Sequence, residues 1–171
     1  MTAMLSLSSL KAILNTLHLS TTSVLLCYQL VNLTHSNVSW RRFYSPSPPL
    51  CLAEFAALIR LNSAQHVKQI LLPASLFIPI PGLEDDRRTP VRLVDSSVAD
   101  FFLDRMRSQQ YYVDDSRAHA MLLEACNWVM QRVYADQGRY IREDWGWKGA
   151  YEYACRNWER HRRCIRVKAK L

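Results

Sequence analysis

The chain has 171 residues, 49% of them hydrophobic and 22% charged, which is the composition of one globular domain with a core of useful size. Its four glycines are too few for glycine-rich phosphate loops, sandwiches or barrels, and they favour helices. The net charge of +7 belongs to the ends, because residues 1–48 and 156–171 are basic while 49–155 is slightly acidic.

Residues 1–48 form a poorly defined N-terminal segment. No charge appears between Lys11 and Arg41, but Asn15, His18, Ser20, Thr21 and Thr22 interrupt the apolar run, so a membrane anchor is not expected. The Ser45-Pro-Ser-Pro-Pro49 cluster breaks the chain and marks a boundary. Leu50–Leu61 is helical by periodicity, with Leu52, Phe55, Ala56 and Ile59 on one face. Asn62 and Ser63 punctuate it, and a second short helix runs to about Leu72, where Pro73 ends it. Leu76–Ile80 reads as an edge strand, the polar stretch Pro81–Pro90 as a loop, and Val91–Val94 as a second strand.

The stretch Thr89–Asp104 organises the rest. Ser97-Val-Ala-Asp100 fits a capping box, and Phe101 and Phe102 open the apolar face of the helix that follows. Asp95 falls at the strand-to-helix junction, where free N–H groups and a positive dipole end suit a phosphate or another anion. This helix is expected to end near Arg107. Asp114, Asp115 and Ser116 then cap the strongest helical pattern, in which Met121, Leu122, Ala125, Cys126, Val129, Met130 and Val133 recur over four turns. Gly138 interrupts it, Trp145 and Trp147 read as a loop, and Tyr151, Ala154, Cys155 and Trp158 define a last helix before the basic tail.

Reactive chemistry is mostly missing from the sequence. There is no P-loop, and Gly146-Trp-Lys-Gly149 is too short for one. There is no Gly-x-Ser-x-Gly elbow and no His-Glu-x-x-His pair. His119, in the first turn of a helix, reads as surface or packed core rather than as a catalyst. The five cysteines are odd in number and unpaired in spacing, which points to a reducing, cytoplasmic setting. Cys155, His161 and Cys164 match no common zinc spacing. No catalytic residue, cofactor or metal site is read, and an enzyme is not expected.

Several ordered motifs over residues 49–160 resemble the fungal NACHT-type signalling NTPases, members of the STAND class and relatives of animal NLR immune receptors. They are Pro49-Leu-Cys-Leu-Ala-Glu-Phe-Ala-Ala-Leu-Ile59, Leu72-Pro-Ala-Ser-Leu76, the acidic Glu84-Asp-Asp86, Pro90-Val-Arg-Leu-Val-Asp-Ser-Ser-Val-Ala-Asp-Phe-Phe102, Arg107-Ser-Gln-Gln-Tyr-Tyr-Val-Asp114 and Tyr153-Ala-Cys-Arg-Asn-Trp158. The resemblance implies a mainly α fold with a small β-hairpin: a winged-helix-like domain at 49–108, a helical segment at 109–160, and a basic tail at 161–171. In that family this region follows the nucleotide-binding core and holds it closed around ADP, with a histidine at the strand-to-helix junction reaching the phosphate. Asp95 occupies the histidine position here, and Cys51 replaces the serine of the first helix cap while Glu54 remains. The chain thus resembles a truncated or degenerate member whose NTPase core is missing, a non-catalytic regulatory or interaction module. Its expected partner is a NACHT-type NTPase core or a related protein, with nucleic acid and membrane not expected. The alternative reading is a nucleic-acid-binding winged helix, with the helix at 63–72 as reader, although that helix offers phosphates only Lys68 and His66.

Overall fold

Aspartates and serines placed just ahead of apolar periodic runs set the helix boundaries of this chain. The computed structural model describes residues 49–61, 63–80, 82 and 89–168. The N-terminal segment and most of the acidic loop, including Glu84-Asp-Asp86, lie outside them. In chain order the α-helices are α1 (Leu52–Leu58), α2 (Ala64–Leu71), α3 (Ser96–Leu103), α4 (Arg105–Ser108), α5 (Asp115–Ala135), α6 (Arg139–Glu143) and α7 (Trp145–Lys168), with 3-10 turns at Leu72–Ala74 and Gln109–Tyr111. The fold is mainly α.

The first cap joins two of the expected features. Glu54 Oε2 accepts a hydrogen bond from Cys51 N at 2.8 Å, so the glutamate half of a capping box operates with cysteine at the N-cap. Leu52, Phe55, Ala56, Ala57 and Leu58 are buried. Helix α1 ends three residues before Leu61, because Arg60 turns left-handed (φ 64°) and lets Leu61 N reach Ala56 O at 2.9 Å. Ser63 Oγ then accepts from His66 N at 3.2 Å to start α2.

Neither expected strand forms among the described residues. Residues 75–78 turn after the 3-10 segment, and Phe77 N and Ile78 N both bond back to Ala74 O, at 2.8 and 3.0 Å. These local bonds use the donors that a strand would have offered to a neighbour. The 91–94 stretch is extended but not laddered: Val91 N bonds Leu50 O at 3.0 Å, Val94 N bonds Phe77 O at 2.8 Å, and Cys51 and Pro90 make an isolated antiparallel bridge. Pro90, which has no N–H, limits that pairing.

The helix after the junction is also shorter than its pattern suggests. Asp104 breaks it and caps α4 instead, accepting from Met106 N at 2.9 Å and Arg107 N at 3.1 Å. Asp114 caps α5, accepting from Arg117 N at 2.9 Å. Helix α5 buries Leu122, Ala125, Cys126, Val129 and Val133, as its spacing requires. At its C-terminus Gln137 (φ 51°) precedes Gly138 (φ 75°), and Gly138 N closes on Val133 O at 2.9 Å.

The largest departure from the sequence reading is α7. Trp145 and Trp147 belong to its first turn and not to a loop, and the helix runs 24 residues into the basic stretch. Asp144 caps it, with Oδ1 accepting from Gly146 N at 2.7 Å and more weakly from Trp147 N at 3.4 Å. Trp147 stacks on Tyr140 (centroids 4.6 Å apart) and packs beside Trp128 (5.4 Å), contacts between separate helices that outweigh the low helix propensity of the local sequence. Its buried face is Ala150, Tyr153, Ala154, Asn157 and His161, whereas Cys155 is exposed and Trp158 is 36% exposed. Of the stripe expected from Tyr151, Ala154, Cys155 and Trp158, Ala154 is buried and Tyr151 packs against the edge of the core, while Cys155 and Trp158 face outward.

Helices α5 and α7 run antiparallel, with His119 beside His161 at one end and Trp128 beside Trp147 at the other. Helix α1 crosses α7 where Gly146 and Gly149 leave room: a Cβ on Gly146 would sit 2.9 Å from Ala53 O, and one on Gly149 would overlap the Glu54 carboxylate. Phe55, Phe77, Phe101, Phe102 and Leu122 lie in the same core, which joins α1, α3 and α5.

Candidate functional site

At the junction, the extended backbone of Asp95 (φ −144°, ψ 144°) feeds directly into α3. The N-cap is Asp95 and not Ser97: Asp95 Oδ1 accepts from Ser97 N at 2.7 Å, which places Ser97 inside the first helical turn. A carboxylate makes a stronger, charge-assisted acceptor than a hydroxyl and stands two residues nearer the extended segment. The Ser97 backbone N–H holds the Asp95 carboxyl below its ordinary pKa, with a side-chain bond to Ser97 adding to this. Asp100 is exposed. Phe101 and Phe102 are fully buried and meet edge to face, 5.6 Å between centroids.

This geometry fills the anion-binding end of α3 with the protein's own negative charge. An incoming phosphate would meet a carboxylate already bonded to the N–H group it would need. Of the residues the sequence brought forward here, Asp95 and Ser97 come together, Asp100 points to solvent, and the two phenylalanines serve the core.

A second polar constellation lies between α5 and α7, joining residues that no sequence spacing links. His119 Nδ1 and His161 Nδ1 approach to 2.8 Å in a buried setting. His161 Nε2 lies 2.9 Å from the Tyr153 hydroxyl, and His119 Nε2 lies 3.4 Å from Asp115 Oδ1. The chain thus reads Asp115, His119, His161, Tyr153 across the seam. Burial above all, with the neighbouring His119 and Arg160, pushes the His161 pKa down from 6.5 to about 3. Burial likewise drives the Tyr153 hydroxyl well above its usual value. His119, expected at the surface or in the packed core, is packed core with polar partners. Both ring nitrogens of His161 are taken, by His119 and Tyr153, which leaves neither to a metal ion. The two residues are 42 apart in sequence, so only the antiparallel pairing could reveal the contact.

The two buried thiols, Cys51 and Cys126, are poor nucleophiles. Burial raises Cys51 to about 11 and Cys126 to about 12. Among the described residues no group of three His, Cys, Asp or Glu side chains is arranged to hold a metal ion. An open cleft of about 640 Å³ lies at the C-terminal end of α5, between Val133, Tyr134, Gly138, Ile141 and Tyr151, and its lining carries no carboxylate, histidine or thiol. Among the described residues no helix is long and apolar enough to cross a membrane. No family model, curated protein or solved structure compared with this chain matches it.

Proposed function

We propose that the chain is a non-catalytic regulatory or interaction module of the cytoplasm, resembling the winged-helix and following helical region of fungal NACHT-type signalling NTPases. The ordered motifs over 49–160 motivate the reading. The observation that carries it is the state of the junction: Asp95 stands at the position of the family's nucleotide-contacting histidine and spends its carboxylate on Ser97 N of its own helix. Such a junction keeps the scaffold of a nucleotide sensor while repelling the phosphate. The Val94 N to Phe77 O bond brings the extended 91–94 stretch beside the turn at 75–78, the place where this reading expects the wing.

Mixing the full chain with a NACHT-type NTPase core tests the proposal by calorimetry. Binding at micromolar concentration is expected, unchanged by ADP. No binding at that concentration would overturn it, and so would ADP-dependent binding lost on Asp95→Ala. Nucleic acid recognition by α2 is disfavoured, since Lys68 is buried and only His66 of the two candidate contacts is exposed.

A further inference from the structure

We propose that the His119–His161 pair is an acid-sensitive latch between α5 and α7, and that its double protonation releases the C-terminal half of α7 from the bundle. The rings meet Nδ1 to Nδ1 at 2.8 Å, so one of the two nitrogens must donate and the other must accept. The flanking groups fix the direction. Asp115 Oδ1, 3.4 Å from His119 Nε2, favours a proton on that nitrogen and leaves His119 Nδ1 as the acceptor. His161 then donates from Nδ1 and accepts the Tyr153 hydroxyl at Nε2, 2.9 Å away. In this arrangement both rings are neutral and every proton in the chain points towards Asp115.

One added proton can be absorbed by reversing the chain: His119 becomes an imidazolium against Asp115 and donates from Nδ1 to His161, whose own hydrogen moves to Nε2 and faces the Tyr153 oxygen. A second proton cannot. Both Nδ1 atoms would then carry hydrogen at a separation that admits one, and two positive rings would share a buried seam.

Among the described residues, the ionisable groups around His161 do not offset this charge. On α5 they are His119 and Asp115, which is already committed to His119, while Cys126, next to Tyr153, stays a neutral thiol. On α7 itself they are Tyr153, which stays neutral, Arg160, which adds positive charge, and Glu159, whose carboxylate is paired with Arg162 and Arg163. From α1, Glu54 meets α7 at Gly149, twelve residues and about 18 Å of helix away. On α6, Arg132 of α5 engages Tyr140 and Arg142 engages Gln137 O, both at the far end of the hairpin. Parting the rings would free a segment that carries Arg156, Arg160, Arg162 and Arg163 on one helix.

The sign follows from the depressed value. Above pH 6.5 His161 is neutral folded or released, and the latch is at full strength; as pH falls from 6.5 towards 3, only the released form takes the proton, so closure weakens. Between pH 7.5 and 5.0 this linkage gives about a thirtyfold rise in opening.

Hydrogen exchange on the full chain, corrected for the intrinsic pH dependence of amide exchange, reads the opening. The amides of 157–165 are expected to open about thirtyfold more at pH 5.0 than at 7.5, while those around Gly146 change little. The variant His119→Gln, His161→Gln, which cannot titrate, is expected to lose that difference. Equal opening of the native chain at both pH values would overturn the proposal even if the variant does not fold, and an unchanged pH response in a folded variant would overturn it as well.

Discussion

Asp95 illustrates how one side chain decides between two uses of the same backbone. Its carboxylate completes the first turn of α3 from within, and the turn is thereby closed to an external anion. Asp95→Ala should lower the urea midpoint of unfolding, whereas Asp95→Asn, a comparable N-cap, should restore most of the loss. Because its folded pKa is depressed, the contribution of Asp95 is present above its ordinary pKa of 3.8 and is lost as pH falls below it, which a denaturation series from pH 5 to 3 would follow. Tyr153 acts at the same scale. Tyr153→Phe removes the donor to His161 Nε2 and leaves a buried acceptor unpaired, for an expected loss of about 1–3 kcal/mol by chemical denaturation at pH 7.5.

Helix ends and crossings carry the element scale. Gln137 sits left-handed at the C-terminus of α5, where its Cβ is strained and its own side chain is exposed. Gln137→Gly relieves that strain, and a gain of about 0.5–1 kcal/mol should appear as a higher thermal midpoint. The two glycines of α7 should respond differently to alanine. At Gly146 the obstacle is the backbone of Ala53, which cannot yield without moving α1, so Gly146→Ala should cost about 1–3 kcal/mol. At Gly149 the obstacle is the Glu54 side chain, which can swing away. The lost bond to Cys51 N is then offset by the better helix propensity of alanine, and the change should be small. Urea unfolding of the two variants side by side separates these cases.

For the molecule as a whole, the core formed by Phe55, Phe77, Phe101, Phe102 and Leu122 ties the junction to the antiparallel pair α5 and α7. Phe101→Ala should therefore destabilise the entire fold, by about 3–5 kcal/mol, and not α3 alone; a single cooperative transition seen by circular dichroism and tryptophan fluorescence together would show this. The junction and the histidine latch lie on the same scaffold but depend on different chemistry, one on a charge that stays exposed and the other on neutral rings kept from water.

The mainly helical class, the start of α5 and the burial of Leu52, Phe55, Phe101, Leu122 and Val129 were legible in the sequence, because each follows from local periodicity and capping within a few residues. Ser97, the cap its spacing to Asp100 suggests, yields that place to Asp95, because two acceptors compete two residues apart and only the path of the backbone chooses between them. The missing strands depended on where Phe77 N and Ile78 N find acceptors. The first turns of α7 required Trp128 and Tyr140 to receive Trp147, and its buried face required α1 to approach Gly146 and Gly149. The pairing of His119 with His161 required two helices to run antiparallel in one register. The sequence by itself determined the parts whose energy is local. The tertiary structure alone decided which face of α7 is inside, which residue caps α3, and which buried polar groups meet, since those depend on partners far away along the chain.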